Sequence, residues 1–187
     1  ILGTVNALEI AKKYKVKKFI HASTIYANTE EGGFYGRSKK AAEDYVEEYK
    51  KKFNLNYTIL RFGSMYGERA GLDNGIRQIL HNVIFRKKLI YKGTKKSVRS
   101  YIYVKDAVKL CFNCISKKYD NKYLTLTGAK KIKANYLFKL LSTMFKISKK
   151  NIIFLKNKGH YDFKPTPFKP RVGKLLYPVK SDFRKNI

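Results

Sequence analysis

Apolar residues recur at helical spacing over positions 4–14, where Val5, Leu8 and Ala11 share a face, so the chain opens on the C-terminal part of a helix. Positions 16–23 read as a strand ending in small hydroxyl residues, and 28–33 as a polar loop containing glycine. A long amphipathic helix is expected over 35–53, acidic in its middle and basic at its end, as the helix dipole favours. Positions 55–62 form a β-rich run, 63–74 a loop with glycines at 63, 67 and 71, and 75–87 a helix. Short strands are expected at 89–91 and 97–104, a helix at 106–117, a strand at 122–127, a helix at 134–145 and a short strand at 152–155. The tail after Gly159 holds all four prolines and is expected to be only partly regular. Strands alternate with helices throughout, which predicts an α/β fold with a parallel sheet. The pattern loosens near 62–75, the expected domain boundary.

Composition narrows this picture. The 187 residues are 44% apolar and 29% charged, a globular balance with room for one or at most two domains. No apolar run approaches the roughly 18–20 residues of a membrane span. No charged-then-apolar leader pattern is present, and two cysteines make no disulfide scaffold. These features fit a reducing compartment, and the expected location is the cytoplasm. The first residue is Ile, inside a patterned segment, so a fragment of a longer chain is expected.

The net charge is +29, from 34 Lys and 8 Arg against 13 acidic residues. Lysine is spread along the whole chain beside many Asn, Ile, Tyr and Phe, which looks like a bias of the source. The charge is uneven, however: residues 1–106 carry net +12 and residues 107–187 net +17. Such a field attracts polyanions at low salt, so nucleic acid or an anionic membrane is a possible but not favoured partner.

The sharpest chemical feature is Tyr35 with Lys39, which share a helix face at i and i+4. An ammonium beside a phenol stabilises the phenolate, and a phenol so tuned exchanges protons with a hydroxyl or ketone. Tyr-x-x-x-Lys alone is common in a chain this rich in both residues; context gives it weight. The strand before the helix ends in Ser23-Thr24, and open α/β sheets bind ligands at such carboxyl edges. The next strand ends in Leu60-Arg61-Phe62-Gly63-Ser64-Met65-Tyr66-Gly67, and Arg99-Ser100-Tyr101-Ile102-Tyr103-Val104-Lys105-Asp106 follows.

Taken in order with Gly3-Thr4-Val5-Asn6-Ala7-Leu8-Glu9, these segments resemble the extended short-chain dehydrogenase/reductases, and within them the NAD-dependent epimerase/dehydratases of nucleotide sugars. The resemblance covers nearly the whole chain. It implies a partial Rossmann-like parallel sheet with a smaller α/β substrate domain. Residues 1–66 would be the C-terminal part of the cofactor domain, and 67–187 mainly the sugar-nucleotide domain. It also implies roles. Tyr35 would be the catalytic acid/base. Lys39 would hold the nicotinamide ribose and lower the tyrosine pKa. Thr24 would orient the sugar hydroxyl, with Ser23 the close alternative. Phe62 would lie by the nicotinamide. Ser64 stands where many epimerases use Asn toward substrate, and Arg99 would clamp the diphosphate. The implied reaction is epimerisation or 4-ketoreduction in surface polysaccharide biosynthesis. NAD would be the cofactor, with NADP left open, and the full-length protein would be a homodimer.

The sequence also departs from the family. A Gly-x-x-Gly-x-x-Gly turn, which lets a helix N-terminus meet a pyrophosphate, is not among these residues. Ile25-Tyr26-Ala27 follows Thr24 directly; alignment without a gap on Tyr26 would put Ala22 in the hydroxyl position. Dehydratases carry an acid soon after that threonine, and here Ile25 and Tyr26 follow, which disfavours water elimination. The family's His in the Arg99 segment is Tyr103. Cys111 and Cys114 fall mid-helix and read as core. His21, His81 and His160 show no ligand spacing, so no metal is expected. Two rival readings are a non-catalytic basic module that binds nucleic acid or an anionic surface, and a decayed, inactive fragment.

Overall fold

The computed structural model describes residues 1–30, 32–155, 169–177 and 183; His160 and most of the proline-bearing tail lie outside them. The elements run α1 (Leu2–Lys13), β1 (Phe19–Thr24), α2 (Gly33–Phe53), β2 (Tyr57–Phe62), β3 (Ser64–Tyr66), α3 (Gly75–Arg86), β4 (Leu89–Lys92), β5 (Val98–Arg99), β6 (Tyr101–Tyr103), α4 (Val104–Asn113), β7 (Lys122–Leu126), β8 (Ile132–Lys133), α5 (Ala134–Met144), β9 (Ile152–Leu155) and β10 (Lys174–Leu176). They form two compact units. Among the described residues, the first holds 1–63, 105–127 and 169–177, and the second 64–104, 128–155 and 183. The first crossing, after Gly63, falls inside the stretch where the sequence pattern loosens. The return of residues 105–127 to the first unit has no mark in the sequence.

The first unit is built on a parallel sheet ordered β1-β2-β7-β10. Alternation along β2 sends Tyr57, Ile59 and Arg61 to one face and Thr58 and Leu60 to the other. All five are buried, as befits a strand covered on both faces. Leu8 and Ala11 of α1 pack with Val46 and Tyr49 of α2 against Tyr57, Ile59 and Tyr123. Each large side chain buried in this way stabilises the fold by about 2 kcal/mol. The helix α1 closes through Lys15, whose φ of 50° is left-handed, and through the Val16 N–H, which donates to the Ala11 carbonyl. That closure is why β1 starts at Phe19 rather than at 16. Asn54, also left-handed at φ 55°, stops α2 after three lysines that suit its C-terminal dipole. Lys18 donates to the carbonyls of Cys114, Ile115 and Ser116 beyond α4 and pairs with Asp120 at 2.5 Å.

In the second unit β3 pairs β6 and β4 pairs β9, both parallel, while β5 and β8 are antiparallel. The run expected as one strand over 97–104 is two. Val98 and Arg99 pair with β8, whereas Tyr101–Tyr103 pair with β3, so one apolar run serves two partners. The loop expected at 63–74 contains β3, whose three residues are too few to show a period. Asn74 starts α3: its Oδ1 accepts from the N–H groups of Ile76 (3.1 Å) and Arg77 (3.3 Å), and its Nδ2 donates to the Met65 carbonyl (2.8 Å). The core gathers Ile76, Ile79 and Val83 of α3 with Leu137, Phe138 and Leu141 of α5, around Leu89 and Tyr91.

Candidate active site

The two neighbouring hydroxyls at the end of β1 point to opposite faces and meet different partners. Ser23 faces α2, where its O–H donates to Glu43 Oε1 at 2.6 Å. Thr24, the last strand residue, lies in register with Phe62 at the end of β2, which is in turn in register with Leu126 at the end of β7. Its Oγ1 accepts from the Tyr26 N–H at 3.3 Å and starts a short 3-10 helix over Ile25–Asn28. Both hydroxyl residues are buried.

Tyr35, Lys39, Glu43 and Glu47 are spaced four apart and form one stripe along α2. The two acids anchor it. Glu43 is fully buried and receives the Arg61 guanidinium through Nε at 2.8 Å and through Nη2. The guanidinium carbon lies 4.7 Å from the Tyr123 ring centroid. Glu47 accepts from the Tyr123 hydroxyl at 2.8 Å, from Arg171 Nε at 2.7 Å and from the Val172 N–H at 3.3 Å. A buried carboxylate persists only when it is paired and hydrogen-bonded, and both acids meet that requirement. Burial, and then the neighbouring Glu47, push the Tyr123 phenol well above its ordinary pKa. With the acids fixed under the sheet, the next stripe member toward the strand edge, Lys39, donates to the Ala22 carbonyl at 3.1 Å. Tyr35 lies in the first turn of α2 and is 55% exposed.

Two glycines set the approach of that first turn. A Cβ on Gly36 would come 2.6 Å from the Tyr26 carbonyl oxygen, and one on Gly32 2.8 Å from the same atom. Only glycine allows the helix start to press against the 3-10 helix that Thr24 begins. His21, one strand residue before Ala22, is buried, and its Nε2 has no hydrogen-bond partner among the described residues. Burial, followed by the Lys39 charge, lowers its pKa to about 4.

Within the second unit Arg99 Nη1 donates to Ser64 Oγ at 3.0 Å, so β5 and β3 bring together the two residues assigned to substrate. Tyr103 donates to Glu68 at 2.5 Å, and both line a cavity of about 140 Å³ with Tyr66, Asn74 and Arg77. Cys111 and Cys114 are thiols raised by burial, Cys114 to about 11, as suits packing rather than reactivity. No helix of the described residues is long and apolar enough to cross a membrane.

The sequence reading names Tyr35, Lys39, Ser23, Thr24 and Phe62 in the first unit, and Ser64 and Arg99 in the second. It assigns no role to Glu43, Glu47, Arg61 or Gly36. The available signal was the four-residue spacing continued past Lys39 into two acids on an inward helix face, where an acid needs a buried cation.

The chain is similar in sequence and fold to known proteins. The sequence model of the NAD dependent epimerase/dehydratase family matches residues 1–123. A Methanocaldococcus jannaschii protein provisionally named UDP-glucose 4-epimerase is 27% identical over 202 residues, covering 99% of this chain and 61% of that protein. A dTDP-D-glucose 4,6-dehydratase of Dictyostelium discoideum is 32% identical over 142 residues, covering 63% of this chain and 32% of that protein. The solved UDP-glucose 4-epimerase of Thermotoga maritima, with UDP-glucose, is 28% identical with a TM-score of 0.76, over 90% of this chain and 60% of that one. The chain belongs to the NAD-dependent epimerase/dehydratase family, with a Rossmann-type parallel α/β fold. It spans 61% of the Methanocaldococcus protein and 32% of the Dictyostelium one.

Proposed function

We propose that this chain carries the catalytic helix and part of the sugar-nucleotide site of an NAD-dependent nucleotide-sugar epimerase or 4-ketoreductase. One observation supports this above the others. The buried acids of α2 hold a stripe whose outer members, Lys39 and Tyr35, lead to the strand edge where Thr24 ends β1. Residues 1–66 are read as cofactor-side and 67–187 as mainly substrate-side.

The donor set fits the ribose half of a nicotinamide cofactor. Lys39 has three N–H donors; with one bond to the Ala22 carbonyl, two are of the kind ribose hydroxyls accept. NAD, when bound, supplies the hydride acceptor and then the donor, and return to the other face of the ketone gives the epimer. The protein supplies position and the proton path. Thr24 accepts from Tyr26 through its oxygen, which leaves its O–H to donate to a sugar hydroxyl. Tyr35 takes the proton of the reacting hydroxyl and returns it. Arg99, steadied by Ser64, presents a guanidinium to the diphosphate. Ile25 and Tyr26 supply no acid beside Thr24, so the site favours epimerisation or ketone reduction over dehydration. A cytoplasmic homodimer serving polysaccharide synthesis completes the reading.

The test is to incubate the full-length protein with NAD and a panel of UDP- and dTDP-hexoses, and with NADH or NADPH and the corresponding 4-keto sugars, and to resolve C4 epimers and reduced sugars by NMR. Conversion of at least one sugar is expected, and none across the panel contradicts the proposal.

A further inference from the structure

The two units differ sharply in acidic content. Residues 1–63 and 105–127 carry 17 basic and 9 acidic side chains, whereas residues 64–104 and 128–155 carry 16 and 2. Over 74–104 and 128–155 there are 15 basic residues and no acid at all. A lysine-rich source composition raises the basic count everywhere; it does not by itself clear the acids from residues 74–104 and 128–155.

Topology gathers part of this charge. Because β4 and β9 are parallel, with Leu89 opposite Ile152, the residues just before each strand lie at the same end of the ribbon. Arg86, Lys87 and Lys88 precede β4, and Lys146, Lys149 and Lys150 precede β9; all six are exposed. Apolar side chains stand exposed in the same place. Ile84 (49% exposed) and Phe85 (73%) are in the last turn of α3, and Met144 (52%) ends α5 just before Lys146. At the opposite end of the ribbon a second basic group, Lys92, Lys95 and Lys96 with Lys130, Lys131 and Lys133, is brought together by the pairing of β5 with β8.

We propose that the first of these ends, around Phe85, Lys87, Lys88, Lys149 and Lys150, docks on an anionic phospholipid bilayer. Lysine ammoniums act as point charges toward lipid phosphates, and their stems lie along the headgroup region. Phe85, Ile84 and Met144 enter the headgroup–acyl boundary, the usual partner of such charge in interfacial binding. Nucleic acid recognition leans instead on Arg forks and on platforms of several stacked aromatics, and at this end five lysines accompany Arg86 while Phe85 stands beside the non-aromatic Ile84 and Met144. This surface is independent of the hydride chemistry, so either can fail without the other.

The experiment is co-sedimentation of the full-length protein with vesicles of phosphatidylcholine alone or mixed equally with phosphatidylglycerol, at low and physiological salt. Three variants are compared, each checked by thermal melting: Lys87→Glu/Lys88→Glu/Lys149→Glu/Lys150→Glu, Lys92→Glu/Lys95→Glu/Lys96→Glu, and Phe85→Ser. Binding only to the anionic vesicles is expected. The first variant should lose affinity about tenfold or more, the second clearly less, and Phe85→Ser should weaken binding that survives at physiological salt. Absence of binding to anionic vesicles overturns the proposal. Equal losses in the two charge variants overturn it too, as does displacement by duplex DNA combined with full binding by Phe85→Ser; the last result points to a nucleic acid instead.

Discussion

Ser23 and Thr24 are adjacent and chemically alike, yet they meet different hydrogen-bond partners. The Ser23 proton goes to Glu43, a carboxylate already bound to Arg61, so that hydroxyl belongs to the buried network. Thr24 accepts from the Tyr26 N–H through its oxygen, and under the proposed function its own proton is the one offered to the substrate. In the full-length enzyme Thr24→Val is therefore expected to lower kcat by about 100-fold or more, on the scale of a lost proton-path contact. Ser23→Ala should leave kcat within a few-fold and register as lost thermal stability. Steady-state kinetics on both variants decides, and a larger kcat loss in Ser23→Ala reverses the assignment. From sequence alone the pair is ambiguous, because facing depends on register and on where α2 lies, and neither is written in two hydroxyls side by side.

At the scale of elements, α2 is the part that joins fold to chemistry. Its stripe starts with two buried acids and ends with Lys39 and Tyr35, so what locks the helix rotation also aims the side chains proposed to react. Glu43→Ala removes the buried carboxylate that the Arg61 guanidinium reaches through two nitrogens, and removing one partner of such a pair costs about 3–5 kcal/mol. Chemical denaturation should show that loss, whereas Lys52→Ala, which removes an exposed pair with Glu48, should stay within about 1 kcal/mol. Equal effects would show that the buried pair is not what fixes the helix. The positions of α1, α2, α3 and α5 were legible within a residue or two because their apolar periods are long. The β5–β8 pair was not legible, since two-residue strands carry no period. Neither was the crossing of 105–127 back to the first unit, since nothing local marks which sheet β7 will join. Arg61 stood in a quoted motif without a role, because its partner lies 18 positions away on another element.

For the molecule as a whole, the titrating groups set how stability responds to acid. Buried His21 titrates near 4 when folded, against an ordinary value of 6.5. The unfolded chain takes up that proton first, so stability is fully present above about pH 6.5 and is lost as the pH falls toward 4. The shift corresponds to about 3 kcal/mol. Urea midpoints measured from pH 7 to 4 should fall along that course, and His21→Gln should flatten the fall; an unchanged slope in the variant removes His21 as its source. The same residue lies beside the Ala22 carbonyl that receives Lys39, so acid charges the sheet under the stripe. The charge asymmetry of the second unit belongs to this scale too, since it emerges only when residues 64–104 and 128–155 are seen to fold together.

The most direct test of the account is the turnover of the full-length protein carrying Tyr35→Phe, beside the unaltered protein, on whichever nucleotide sugar the unaltered protein converts. Tyr35 is exposed in the first turn of α2, so loss of its hydroxyl should leave the melting temperature unchanged. The account predicts a fall in kcat of about 100-fold to 10,000-fold with the fold intact. Turnover within a few-fold of the unaltered protein would contradict it and remove Tyr35 from the proton path.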